Sequence, residues 1–134
     1  MSSPYLYLLE SLRSQCELPP FPDPLPSTQL DLELVDGLTV TIDFKEESQS
    51  VELFAEIGVY SQQNELEVLR KIAQANFLWA ATSGGTLSAR PEIRTVYLAY
   101  QTPIANLEAT TFIHLVEKFL DVAKKWQEIL QKLV

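Results

Sequence analysis

Residues 64–87, with the sequence NELEVLRKIAQANFLWAATSGGTL, decide the fold of this chain. Asn64 and Glu67 have the spacing of a capping box, in which each side chain satisfies a free amide at the start of a helix. Residues 83–85 predict the end of that helix, because their two glycines adopt the left-handed conformation that closes a helix. We therefore expect a helix over residues 64–80, followed by a strand.

The predicted helix has two apolar faces. One face consists of Leu66, Leu69, Ile72, Ala73, Phe77 and Ala80, and the other of Val68, Ala75, Leu78 and Trp79. A sheet in the same chain can cover one face, but a chain of 134 residues has little else to cover the second. We therefore expect a second copy of the chain to pack there, which predicts a homodimer.

The flanking segments predict an α+β fold in a single domain over residues 1–134, with the order α-β-β-β-α-β-β-α and a twisted antiparallel sheet packed by helices. Alternating apolar residues predict strands at 29–35, 38–44 and 51–57. A three-residue turn at 35–37 aligns the apolar rows of the first two strands, whereas a two-residue turn would place them on opposite faces.

Helices are expected at both ends of the chain. The first begins at Ser3 and Pro4 and ends near Leu18, before a proline-rich segment. After two strands at 86–90 and 93–102, the last helix carries one apolar stripe. Its members are Phe112, Val116, Phe119, Ala123, Trp126, Leu130 and Leu133.

The composition restricts the class of partner. Residues 1–63 hold eleven Asp and Glu residues against Arg13 and Lys45, a net charge of −9. Such a field repels phosphate, so we expect no nucleic acid partner and favour a neutral or basic polypeptide. No segment approaches the roughly 18 apolar residues of a membrane span, and the N-terminus lacks the basic region of a secretory signal. We expect no membrane insertion and residence in the cytoplasm.

Few residues in the sequence are suited to catalysis. His114 is the single histidine and Cys16 the single cysteine, and nothing in the local sequence brings them together as a base and a nucleophile. The spacings typical of zinc, calcium and phosphate-binding loops are absent from the sequence. We expect a protein that is not an enzyme and that needs no metal and no cofactor.

Two segments resemble the class I type III secretion chaperones, the Tir chaperone family. Residues 69–89, LRKIAQANFLWAATSGGTLSA, resemble the helix, glycine and strand segment of that family. Residues 95–130, TVYLAYQTPIANLEATTFIHLVEKFLDVAKKWQEIL, resemble its last strand and closing helix. The order of the elements and the acidic character of the chain agree with this resemblance.

The resemblance implies a homodimer in a bacterial cytoplasm that holds the N-terminal region of a secreted effector in an extended form, without ATP. For the dimer interface we expect Leu69, Ile72, Ala73, Asn76, Phe77, Trp79 and Leu87. For effector contact we expect Leu9, Leu12, Leu30, Leu32, Leu34, Val35 and Phe54, because binding an extended chain needs apolar rows and a free sheet edge.

Two alternatives remain open from the sequence. The first is a protein of the same fold that sequesters a transcriptional regulator instead of an export substrate. The second is a small-molecule-binding domain in which the aromatic strand from Tyr97 to Tyr100 lines a closed pocket.

Overall fold

The computed structural model describes residues 4–17, 29–33, 37–105 and 107–133. The elements follow in the order α1 (Pro4–Gln15), β1 (Gln29–Glu33), β2 (Thr39–Lys45), β3 (Ser50–Val59), α2 (Glu65–Ala75), β4 (Thr86–Arg90), β5 (Thr95–Pro103) and α3 (Ala109–Leu133). A short 3-10 turn at Phe77–Trp79 follows α2. The predicted α+β class and the predicted order of elements are confirmed.

The five strands form one antiparallel sheet in the order β1-β2-β3-β5-β4. Leu30 lies opposite Ile42 and Leu32 opposite Val40, which is the register that a three-residue turn predicts. Residues 34–36, which include two expected effector contacts, Leu34 and Val35, lie outside the described residues. Strand β5 lies between β3 and β4, as expected for a strand with apolar residues on both faces.

One face of the sheet, the inner face, carries the core. Helix α3 packs against β3, and α1 packs against α3. All the residues predicted for the α3 stripe up to Leu130 are buried, and Leu133 packs at the margin of the core. Helix α1 also contacts β2. The ring of Tyr5 stacks on Phe44 with the centroids 5.0 Å apart, and its hydroxyl donates to the carbonyl oxygen of Ile42.

The start of α2 differs from the prediction. The side chain of Asn64 makes no capping hydrogen bond, so the capping box with Glu67 is absent. Instead, the backbone N–H of Asn64 donates to Ser61, with distances of 3.2 Å to its carbonyl oxygen and 3.3 Å to its hydroxyl. The chain therefore enters the helix through a turn that already satisfies this amide.

The end of α2 also differs. The helix ends at Ala75, five residues before the expected end, and residues 80–84 form turns before β4. The prediction that the glycines at 84 and 85 stop the helix is therefore wrong. A smaller difference lies in the next hairpin, where Ile93 belongs to the turn and not to β5, because its N–H donates to the carbonyl of Arg90.

Candidate functional site

Asn76 ends α2 through a tertiary contact. Its side-chain nitrogen donates to the carbonyl oxygen of Leu87 at 2.7 Å, and its side-chain oxygen accepts from the N–H of Leu87 at 2.9 Å. The amide therefore pairs with β4 as a neighbouring strand would, because both backbone groups of one strand residue are satisfied. This pairing occupies part of the free edge of β4 and fixes the end of α2 against the sheet.

The residues after Asn76 form an exposed apolar turn, which consists of Phe77, Leu78 and Trp79. Their side chains are 74%, 70% and 53% exposed. Leu78 and Trp79 also have positive φ values of 54° and 56°, in a region that costs a non-glycine residue about 1–2 kcal/mol. Hydrogen bonds hold this backbone in place, from the N–H of Trp79 to the carbonyl of Asn76 and from the N–H of Gly84 to the carbonyl of Trp79.

Helix α2 extends this exposed surface. Val68, Ile72 and Ala75 face the core, whereas Leu66 is 64% exposed, Ala73 is exposed and Leu69 is half-buried. We call the outward set the apolar patch. It consists of Leu66, Leu69, Ala73, Phe77, Leu78 and Trp79.

The structure separates the residues expected at the dimer interface into two groups. Leu69, Ala73, Phe77 and Trp79 lie in the apolar patch. Ile72 and Leu87 are 9% and 2% exposed, so their side chains already belong to the core. Asn76 is half-buried and its amide already pairs with β4. Leu66 and Leu78 were not expected at the interface, although the helical spacing already placed them on the two apolar faces.

The other face of the sheet, the outer face, is acidic with an aromatic centre. Phe54 stacks on Tyr97 with the ring centroids 5.1 Å apart and an interplanar angle of 19°. Asp43 lies opposite Glu52, and the Lys45 ammonium contacts Asp43 at 2.9 Å. The Asp43 carboxylate raises the pKa of Lys45, which favours the charged ammonium.

The residues expected at the effector contact are also divided. Phe54 is half-buried on the outer face, and Leu32 is half-buried beside the core. Leu30 is 8% exposed, and Leu9 and Leu12 are each 1% exposed. Leu9 and Leu12 present no surface in this conformation, because α1 turns both side chains into the core.

Strand β1 forms one end of the sheet order, so one side of its backbone has no strand partner among the described residues. Its outward side chains include Asp31 and Glu33, and the Asp31 carboxylate accepts a hydrogen bond from Thr41 at 2.7 Å. An edge of this kind can pair with an added extended segment through main-chain hydrogen bonds. The opposite edge, β4, is the one that Asn76 partly occupies.

Cys16 and His114 line the same groove between α1 and α3, together with Glu117. Partial burial and the Glu117 carboxylate raise the pKa of the Cys16 thiol. A raised pKa favours the neutral thiol, whereas a catalytic cysteine needs the thiolate. The groove therefore brings the two residues near each other without the electrostatics of a nucleophile.

Two further observations concern the described ranges of the chain. They contain no cluster of three or more His, Cys, Asp or Glu side chains that could hold a metal ion. None of the helices in these ranges has the length and apolar character needed to cross a membrane.

The fold of this chain is similar to that of several solved structures. The structure is similar to that of the ExsC-ExsE complex, with a TM-score of 0.72, 21% identity and coverage of 92% of this chain and 91% of the other. It is also similar to the HopA1-SchA chaperone-effector complex, with a TM-score of 0.72, 14% identity and coverage of 93% and 94%. A third similar structure is the heterodimeric ExoU-SpcU complex from the type III secretion system of Pseudomonas aeruginosa, with a TM-score of 0.68, 14% identity and coverage of 93% and 95%.

At these identities the structural likeness shows the fold. No curated protein sequence matches the chain significantly. The model of one protein family matches residues 7–127, which is most of the chain and includes the first segment that carried the resemblance and all but the last three residues of the second. The chain therefore belongs to the Tir chaperone protein (CesT) family.

Proposed function

We propose that this protein is a type III secretion chaperone that binds the N-terminal region of a secreted effector in an extended form and keeps it competent for export. It acts in the bacterial cytoplasm and needs no ATP. The observation that carries this proposal is the family match over residues 7–127. The chaperone-effector complex with which the chain shares its fold supports the same function.

A homodimer forms through the apolar patch. Three large apolar side chains in adjacent positions are each more than half exposed, although burying one such side chain stabilises a protein by about 1.5–3 kcal/mol. Two of them also adopt the costly positive-φ conformation. A second copy that covers the apolar turn explains both features, because the contact offsets the strain and removes the apolar surface from water.

The effector segment binds where the sheet is open. From Leu30 to Glu33, the outer edge of β1 has no strand partner among the described residues and can offer main-chain hydrogen bonds, and Phe54 on the outer face offers an apolar contact. Leu9 and Leu12 take no part, because both are already buried by their own chain. The acidic side chains around Phe54 exclude nucleic acid as the guest.

A closed small-molecule pocket beside the aromatic strand is disfavoured by the size of the enclosed cavity there, because the larger groove lined by Ala99 and Tyr100, about 370 Å³, is open to solvent. The cavity lined by Tyr100, Thr82 and Phe119 has a volume of about 20 Å³. Pockets that bind metabolites have volumes of about 300–1,000 Å³. This space holds about one water molecule and no metabolite.

The function is tested by coexpressing the chain with the effector encoded next to it and purifying the complex through a tag on the chain. We expect the effector to be recovered in soluble form, and its bound N-terminal segment to exchange amide hydrogens faster than a folded domain does. Recovery of a neighbouring transcriptional regulator, with no effector bound, would support the sequestering alternative instead. Failure to hold any neighbouring product would contradict both.

The dimer is tested separately by sedimentation equilibrium of Phe77→Ser. Each dimer loses two buried phenylalanine rings, about 3 kcal/mol or more in total, so we expect the dimer dissociation constant to rise more than a hundredfold. Tyr7→Ser is the matched control, because Tyr7 is 62% exposed on α1, away from the apolar patch. A wild-type chain that sediments as a folded monomer at micromolar concentration would overturn the homodimer.

A further inference from the structure

Strand β3 presents three side chains in a row on the outer face. Glu52, Phe54 and Glu56 alternate with the core residues of the strand, so all three point away from the helices. Glu52 and Glu56 are four positions apart, which is about 13 Å along an extended strand. The stacked pair of Phe54 and Tyr97 lies between them.

The two glutamates differ from other acidic residues near them. Asp43 is paired with Lys45, and Glu92 is paired with Arg90, each at 2.9 Å. Neither Glu52 nor Glu56 has a cation within 4 Å among the residues that the structure describes. Lys45 interacts with Glu52 only at longer range, because its direct ion pair is with Asp43, so neither glutamate is held in an ion pair of its own.

The apolar turn meets this row at one end. Trp79 and Glu52 line the same groove, and the rest of its walls is formed by Gly84, Thr86, Ala99, Tyr100 and Gln101. A cation bound to the Glu52 carboxylate is then within reach of an indole ring that is 53% exposed. An indole face attracts cations, so the groove offers an ion pair and a cation–π contact together.

We propose that the outer face selects a guest segment in which two cationic residues, four positions apart, flank one apolar residue. This inference rests on the proposed function and names the chemistry of the guest. The segment lies extended along β3, so that every second side chain faces the sheet. The first cation binds between Glu52 and Trp79, the apolar residue covers Phe54 and Tyr97, and the second cation binds Glu56.

Charge complementarity favours this occupant over a second copy of the chain. Two outer faces brought together would place mostly like charges against each other, because the face carries five carboxylates, from Asp31, Glu33, Asp43, Glu52 and Glu56, against the cations of Lys45 and Arg90. Such contacts are unfavourable without bound counterions. The dimer therefore uses the apolar patch, and the outer face remains open for a basic guest.

The test uses two fluorescent nine-residue peptides with blocked termini and identical composition. The matched peptide has arginine at positions 3 and 7, leucine at position 5 and serine elsewhere. The scrambled peptide has arginine at positions 4 and 6, which turns both cations to the opposite side of an extended chain. In anisotropy titrations at about 50 mM salt, where screening is weak, we expect the matched peptide to bind the wild-type protein about tenfold more tightly.

Two double variants give the control. Glu52→Gln with Glu56→Gln removes the two charges with little change of shape, and should weaken the matched peptide about tenfold. Glu117→Gln with Glu128→Gln makes the same change of net charge on exposed positions of α3, and should change binding less than twofold. Thermal unfolding followed by circular dichroism confirms that both variants fold.

Equal binding of the two peptides, or an equal effect of the two double variants, would overturn the inference. Either result would mean that binding follows net charge and not the row on β3. The outcome is separate from that of the proposed function. If the wild-type chain recovers its effector in the coexpression experiment while the peptides are not distinguished, the chaperone function stands and this site is wrong.

Discussion

Replacing Asn76 with alanine tests the contact that shapes the middle of the chain. The change removes the hydrogen bonds of 2.7 Å and 2.9 Å to the backbone of Leu87. Each such bond contributes about 0.5–1.5 kcal/mol, and a buried backbone group left without a partner costs about 1–3 kcal/mol. Because Leu87 is 2% exposed, water replaces the lost bonds poorly, and we expect Asn76→Ala to lower the free energy of unfolding by about 2–4 kcal/mol.

Urea unfolding at one fixed protein concentration measures this loss, since dimerisation makes apparent stability depend on concentration. The matched control is Gln74→Ala, an exposed change on the same helix that should stay within about 0.5 kcal/mol of wild type.

Asn76→Asp keeps the acceptor for the N–H of Leu87 but loses the donor to its carbonyl. An ionised carboxylate would face the carbonyl oxygen of Leu87 without a donor between them, so we expect Asn76→Asp to be destabilised at neutral pH in the same urea assay. If Asn76→Ala were no more destabilised than Gln74→Ala, the argument from Leu87 would be refuted.

Three further predictions follow from single residues. In the monomeric Phe77→Ser protein, Leu78→Gly should raise the free energy of unfolding measured in urea by about 0.5–1 kcal/mol, because glycine tolerates a φ of 54°. A lower free energy of unfolding would show that the Leu78 side chain packs in the monomer. Tyr60→Phe should be neutral or stabilising by up to about 1 kcal/mol in the same assay, because the buried Tyr60 hydroxyl has no hydrogen-bond partner among the described residues. A clear loss of stability would show that this hydroxyl does have a partner. Burial and the Asp43 carboxylate raise the pKa of Tyr5, so the folded state keeps this proton while the unfolded state releases it above about pH 10. Stability should therefore fall as the pH rises above 10. In the Tyr60→Phe background, Tyr5→Phe should make the urea midpoint of unfolding depend less on pH in this range. An unchanged dependence would contradict the assignment of this effect to Tyr5.

The sheet could be predicted from the sequence because its two determinants are local. Strict alternation decides which residues share a face, and the length of the turn decides which rows align. Both arguments hold for β1 and β2, where Leu30 lies opposite Ile42, and for β2 and β3, where Asp43 lies opposite Glu52. The stripe of α3 was predictable for the same reason, since its helical period is long and unbroken.

The end of α2 could not be predicted in this way. Alanine, leucine and the aromatic residues after Asn76 all tolerate a helix, so nothing in residues 77–80 opposes its continuation. The reason for the end lies eleven positions later in the sequence, in the backbone of Leu87. A tertiary hydrogen bond of this kind has no local pattern, although an asparagine on an apolar helix face is a signal that its amide needs a partner.

The role of the apolar face of α1 could not be predicted from the period. Helical spacing places Tyr5, Leu8, Leu9 and Leu12 on one face, and the structure buries these four residues while it leaves Leu6 and Tyr7 at the surface. An apolar face of this kind can pack in the core or bind a partner, and the spacing alone does not distinguish the two.

The two proposed surfaces depend on Asn76 to different degrees. Because its amide is held by β4, the chain leaves the helix early and turns the side chains of residues 77–79 outward. Trp79 then belongs both to the apolar patch and to the groove beside Glu52. A change at Asn76 should therefore weaken dimerisation and guest binding together, whereas loss of the charges on Glu52 and Glu56 should weaken guest binding alone. This asymmetry follows from the geometry of one turn, since the carboxylates are fixed by β3 and the indole by the end of α2.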